Sequence, residues 1–394
     1  MIVMNEQIIN EVMKEYVRTG EMSGGSLFVH KDGKLIYHNS WGLAKDDTIY
    51  RMASISKVIT MVGFMKLYDK GKFGLDDKVS KYLPGFENML VVDDERLKGL
   101  ENIMKFMTTG QAPDLEDVKL VPAERELTIR DLLTHSSGLE MGLYGMLANK
   151  KMMAEGGKDD NLEKRIEHYS KFALDFQPAT GTGYSPLASF ELIARIIEVL
   201  AAISFDKYMR QEVFEPLEMV DAAYHLSEEQ KTRLTRLYHY ENGKVTDATG
   251  TAEDLDSIGA IGPNLCSGSA GVFCRAEDFD HITQMFANNG NFRGKQILTP
   301  KTIQTIQTEH AYNFLEPEPG MEWALGVKVR QDPERAESFA TKGTYGWSGA
   351  YGTHLFVSPN ENLAVSFCMN RANIGGSGSY ISKKVEELVF GIWN

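Results

Sequence analysis

The residues best suited to chemistry begin at Ser54-Ile55-Ser56-Lys57. A serine and a lysine three positions apart share one face of a helix, so the amine can reach the hydroxyl. From Ser54 to Met65 the only charged residue is Lys57. A helix that is apolar nearly all round is a buried one. Burial disfavours an ammonium, and the neutral amine can accept a proton from the neighbouring hydroxyl. Ser54 falls at the start of its helix, where orphan N–H groups and the positive dipole end favour a developing anion. The chemistry this permits is nucleophilic attack by Ser54, with Lys57 handling its proton. Alone the motif is weak, since Ser-x-x-Lys arises about once by chance in a chain this long. Ser204-Phe205-Asp206-Lys207 is a second copy; it lies near a helix end among exposed-looking residues and reads as structural.

Two further segments could serve the same reaction. Tyr184 follows the turn-rich run Pro178-Ala179-Thr180-Gly181-Thr182-Gly183. Ser185 and Pro186 come next and suit the N-cap and first position of a helix. A side chain just before them projects from a loop held against a rigid element. The run Tyr345-Gly346-Trp347-Ser348-Gly349-Ala350-Tyr351-Gly352-Thr353 places glycines in and beside a strand. Such glycines admit a ligand or another backbone, and a strand N–H can help to bind an oxyanion. Within it, Gly346-Trp347-Ser348-Gly349-Ala350 is close to the Gly-x-Ser-x-Gly of a nucleophile elbow. An elbow must lead into a helix. Here the strand-like Thr353–Val357 follows, so Ser348 is set aside as an elbow nucleophile.

The elements that must hold these residues are readable from pattern. Residues 5–19 form an amphipathic helix ending near Gly20. Ser26–His30 and Lys34–Trp41 form two strands, and Asp32-Gly33 between them signals a hairpin. Thr48–Met52 is a short third strand. The Ser54 helix runs to about Lys70 and stops at Gly71. Leu127–Leu133 is a capped short helix, Leu187–Tyr208 a long one, and Ala276–Ala287 another. The stretch 142–164 is polar and Met-rich and reads as a mobile surface excursion. Trp323–Val329, His354–Val357 and Leu363–Met369 are strands, with a turn at Ser358–Asn362, and Ser382–Trp393 is a closing helix. The expected class is α+β, an antiparallel sheet flanked by helices plus a mainly helical lobe. The whole of 1–394 reads as one catalytic unit. Its sheet lobe comes from about 1–75 and 320–394, and its helical lobe lies within about 76–319.

Composition narrows the function classes. The 394 residues carry a formal net charge of -13, which repels phosphate backbones and argues against nucleic acid. Three cysteines without CxxC spacing do not make a disulfide framework. No basic and apolar leader is visible at the start, so the expected location is cytoplasmic. The most apolar stretch, Leu192–Ile203, is interrupted by Arg195 and Glu198 and is no membrane span. No HExxH pair, phosphate loop or dinucleotide fingerprint occurs, so neither metal nor cofactor is expected. His135 and His354 lie near the motifs and read as structural histidines.

In this order, Ser54-x-x-Lys57, Tyr184 and Trp347-Ser348-Gly349 resemble the serine β-lactamase and penicillin-binding protein superfamily. The nearest likeness is to its class C β-lactamase and family VIII carboxylesterase branch, over nearly the whole chain. Leu127-Thr128-Ile129-Arg130-Asp131-Leu132-Leu133-Thr134-His135-Ser136-Ser137-Gly138-Leu139 and Glu215-Pro216-Leu217 resemble further segments of that family. The resemblance implies a β-lactamase/DD-peptidase-like fold and an acyl-enzyme on Ser54. It implies that Lys57 and Tyr184 move its proton, and that the N–H groups of Ser54 and Ala350 form an oxyanion hole. Trp347, Ser348 and Gly349 would bind substrate, a small ester or amide. Two departures shape the expected substrate. Pro186 stands where the family's Tyr-x-Asn motif has its amide, and Trp347 where Lys-Thr-Gly has its cation. Both favour a small neutral ester over a β-lactam or D-alanyl peptide. A β-lactamase, a D-amino-acid peptidase or amidase, and an acyltransferase remain alternatives within the superfamily. A non-catalytic scaffold is the alternative outside it, though a scaffold would be free to lose Ser54, Lys57 and Tyr184.

Overall fold

The structure is a computed structural model; residues 6–155, 161–254, 264–313 and 315–391 are described. Helix α1 spans Glu6–Thr19, and strands β1 (Gly24–Lys31) and β2 (Lys34–Gly42) follow. Asp32 and Gly33 join the strands with φ of 51° and 73°, as a type I′ turn demands. A second hairpin lies at the other end of the chain, β8 (His354–Ser358) and β9 (Leu363–Met369). Strand β9 pairs antiparallel with β1, from Gly25↔Met369 to Lys31↔Leu363. Both ends of the chain therefore build one sheet. With β5 (Met321–Trp323), β6 (Lys328–Arg330) and β7 (Tyr345–Ser348) it has seven strands, ordered β5-β6-β7-β8-β9-β1-β2.

Alternation along the strands gives the sheet two buried faces. Leu27, Val29, Phe356, Val365 and Phe367 pack with α1 and with α8 (Tyr380–Phe390). Phe28, Leu355, Val357 and Ala364 turn the other way, into the larger core. That core contains helix α2 (Ile55–Asp69), in which every residue from Ile55 to Met65 is buried. Helix α7 (Ala276–Ala287) lies against β1, β8 and β9. The lobe division expected from chain order places this helix in 76–319, yet it belongs to the sheet side.

Several local expectations are corrected. Leu187–Tyr208 is two helices, α5 (Ala188–Ala201) and α6 (Phe205–Met209), because Ala202 turns to φ 55° and ends the first. Trp323–Val329 is a hairpin rather than one strand. Its turn closes through Ala324 N–H to Val327 O at 2.9 Å, with Gly326 at φ 72°. Within 142–164, Leu143–Glu155 is helix α4, and Leu143, Leu147 and Met152 on it are buried. Leu143 and Leu147 pack with Val92 and Leu97, whereas Met152 joins the main core. Residues 156–160 of that stretch lie outside the described residues, as do residue 5 of the first helix and Trp393 of the last. The third strand, β3 (Ile49–Arg51), pairs with β4 (Phe273–Arg275) and not with the main sheet. The capped helix α3 (Ile129–Leu133) forms as read, with Thr128 and Asp131 making a capping box. Among the described residues no helix is long and apolar enough to cross a membrane.

Candidate active site

Ser54 is the N-cap residue of α2 and is half-buried. Ala53 before it is buried and holds φ 47°, a conformation that costs a non-glycine residue about 1–3 kcal/mol. Neighbours impose it. The Met52 carbonyl accepts the Ile55 N–H at 3.2 Å and the Thr353 hydroxyl at 2.9 Å. Gly349 lets this happen: a Cβ there would stand 2.4 Å from Met52 O and 2.2 Å from Thr353 Oγ1. The end of β7 is thereby pressed onto the turn before Ser54. Ala350, the next residue, is exposed. The N–H groups of Ser54 and Ala350 donate to no protein acceptor among the described residues.

Lys57 lies one turn into α2, fully buried. Its Nζ donates to Pro186 O at 2.7 Å and Ser269 O at 3.1 Å, and stands 3.5 Å from Ser54 Oγ. It also lies 5.0 Å from the centroid of the Tyr184 ring. The Tyr184 ring belongs to an aromatic cluster, 5.0 Å from His135, 5.1 Å from Trp347 and stacked 6.1 Å from Trp323. The Tyr184 hydroxyl and Trp347 Nε1 are buried without a hydrogen-bond partner among the described residues. Burial holds the His135 ring neutral, helped by the charges of Lys57 and Lys328.

The loop carrying Tyr184 is fixed by a residue that sequence reading passed over. The helix after it starts at Ala188 with Leu187 as N-cap, not at Ser185 and Pro186. Its orphan N–H groups go to Glu140. Oε2 of that carboxyl accepts from Leu187 N at 2.8 Å, from Ala188 N at 2.6 Å and from Ser185 Oγ at 3.3 Å. Burial raises Glu140 from the ordinary 4.5 to about 7, against the pull of those N–H bonds and of Lys57. One signal was available: Glu140 directly follows the Ser136–Leu139 run, in an otherwise apolar and small-residue context.

The chain matches the model of the β-lactamase family over residues 9–387. It belongs to that family. Among the relatives of this β-lactamase-family chain, esterase EstB of Burkholderia gladioli is 23% identical, covering 94% of this chain and 91% of that protein. An N-acetylmuramyl-L-alanine amidase of Bacillus subtilis is 24% identical, covering 92% and 80%. Among solved structures, EstCE1, a hydrolase with promiscuous acyltransferase activity, has a TM-score of 0.76 at 22% identity, covering 98% of each chain. The fold is thus that of the serine β-lactamases and penicillin-binding proteins.

Of the residues singled out from sequence, Ser54, Lys57 and Tyr184 meet around one point, with the Trp347 ring beside them. Ser348 does not join them: its hydroxyl turns to the other face of β7, toward His354 at 2.7 Å. Gly349 packs closely against Met52 and Thr353. Neither Lys342 nor Arg371 takes the place of the family's motif lysine. Lys342 is exposed, and Arg371 is bound to Asn373, Tyr380 and the Glu21 carbonyl. A different cation stands near the site, Lys328 at the start of β6. Its Nζ is 5.1 Å from the ring centroids of both Trp323 and Trp347. Glu318 pairs with it directly.

Proposed function

We propose that this protein is a serine hydrolase acting through an acyl-enzyme on Ser54, with small neutral carboxylic esters as substrates. Lys57 and Tyr184 take the Ser54 proton and return it to the leaving alcohol. The N–H groups of Ser54 and Ala350 hold the oxyanion, where preorganised donors are worth most. The observation that carries the ester reading is the wall beside Ser54. An indole, Trp347, packs 5.1 Å from the Tyr184 ring where the family's cation would meet a substrate carboxylate. The remaining cation, Lys328, is 6% exposed and already neutralised by Glu318. A neutral ester needs no such cation, and its acyl or alcohol part can pack on the indole. Pro186 cannot offer a side-chain amide, and its carbonyl is occupied by Lys57.

A charge-assisted contact contributes roughly 1.5–3 kcal/mol and a neutral one roughly 1. Lacking both should weaken a penicillin-like ligand by on the order of 10²-fold or more. The test compares kcat/KM for a p-nitrophenyl butyrate with that for a chromogenic cephalosporin on one preparation. The ester should be far the better substrate; a better cephalosporin overturns the ester reading.

A further inference from the structure

The sheet carries a second serine with a proton path that the Ser54 site does not use. Ser348 ends β7, and alternation turns its side chain away from Trp347, toward α8. Its Oγ lies 2.7 Å from Nδ1 of His354, its register partner on β8. Nε2 of His354 lies 3.1 Å from Oε1 of Glu386 on α8. The other Glu386 oxygen is paired with Arg330 at 2.5 Å. These four residues line one cavity of about 390 Å³, together with the rings of Phe339 and Phe356.

Burial pushes the Glu386 carboxyl up, but the His354 hydrogen bond and the charges of Arg330 and His354 outweigh it and hold the group below the usual range. An ionised Glu386 accepts the Nε2–H of His354. In the neutral ring Nδ1 then carries the lone pair, and the Ser348 hydroxyl donates to it. Serine, imidazole and orienting carboxylate stand in the order of a nucleophilic triad, with the two ring nitrogens exchanged. The objection to an elbow at Ser348 does not apply, because the base comes from the adjacent strand.

We propose that Ser348 is a second acylatable serine, activated by His354 and Glu386, which accepts acyl groups from small activated esters entering the cavity beneath α8. In that step the Ser348 proton passes to His354 Nδ1 and Oγ bonds to the carbonyl carbon. The bond to the leaving alkoxide breaks, and the alkoxide takes the proton from His354. The ester is the sole co-reactant. The unpartnered N–H groups of Ser54 and Ala350 serve the other face, so acylation here is slow and stoichiometric.

The experiment uses the full chain carrying Ser54→Ala, incubated with a fluorophosphonate or with p-nitrophenyl acetate and read by intact mass and peptide mapping. One adduct on Ser348 is expected, absent in urea and at least 10-fold slower with His354→Gln or Glu386→Gln. Should those variants fold poorly, the wild-type chain with Ser54 already blocked gives a second readout, a slower second equivalent on Ser348. An unmodified Ser348 after hours of exposure overturns the proposal, and so does labelling that persists in urea. A negative result with the Ser54→Ala chain leaves the reading of Ser54 untouched, because that chain lacks the Ser54 hydroxyl.

Discussion

Two serines, one at the start of a helix and one on a sheet strand packed beside it, prepare a hydroxyl in opposite ways. Ser54 is half-exposed at a helix start, behind the strained Ala53, next to two N–H groups without protein acceptors among the described residues. Its proton partner is loose, with Lys57 at 3.5 Å. Ser348 is 3% exposed in a regular strand. It has a close base at 2.7 Å and an oriented carboxylate behind that base. The first site is organised around a developing oxyanion, the second around a proton. General base assistance contributes about 10²–10⁴-fold, and losing a single oxyanion donor costs about 10²–10³-fold. On the proposed reading, two such donors at Ser54 put turnover there and leave Ser348 to react without turning over.

The largest effect that could break this contrast is Ser54→Ala. It should lower kcat for the ester by on the order of 10⁴-fold or more. Comparable turnover in the variant would transfer the main activity to Ser348. Next comes the proton path at Ser54. Lys57→Ala and Tyr184→Phe should each lower kcat by about 10²-fold, and the pair by far less than the product, because both serve one transfer. Multiplicative losses in a double-mutant cycle would show two separate roles. A smaller effect sharpens the substrate side of the comparison. Glu318→Gln removes the carboxylate that offsets the burial of Lys328 between two indoles, so that a substrate carboxylate can take its place. The variant should gain roughly 3- to 10-fold in kcat/KM for an ester bearing a carboxylate, as a partly exposed charge pair would give. The neutral ester should change by less than about 2-fold. Equal changes for both esters would place Lys328 outside the substrate's reach.

What could be read from sequence was mostly local. Asp32-Gly33, the capped helix within Leu127–Leu133 and the ends of α2 are each set within a few residues, and each appears where expected. Ser54 and Lys57 were legible for the same reason, since i and i+3 on one helix need no tertiary information. The misses are long-range. The break at Ala202 and the hairpin at Gly326 depend on packing, and Gly326 N–H is tied to Leu133 O in another part of the core. The cap of α5 comes from Glu140, 47 residues before Leu187. Lys328 reaches the aromatic cluster from a neighbouring strand. Ser348 was read by its motif, and motif reading cannot say to which face a strand turns a hydroxyl once the register is unknown.

The mildest prediction tests how firmly the Tyr184 loop is held. Glu140 titrates near 7 in the folded chain and near 4.5 when unfolded. Between those values the native chain holds a proton that the unfolded chain has released. Stability therefore falls as pH climbs from about 4.5 to 7 and levels off above it. The decline from this one group is at most about 3 kcal/mol, a few degrees in Tm. Glu140→Gln should remove it while keeping the cap. The N–H groups of Leu187 and Ala188 and the Ser185 hydroxyl all go to a single oxygen, which a glutamine carbonyl can supply. The variant should match wild type near pH 5 and be the more stable of the two at pH 8. Thermal melts across that interval decide the matter. Parallel curves for the two proteins would mean that Glu140 is ionised throughout, and that the loop beside Ser54 is held by a buried charge rather than by a carboxylic acid.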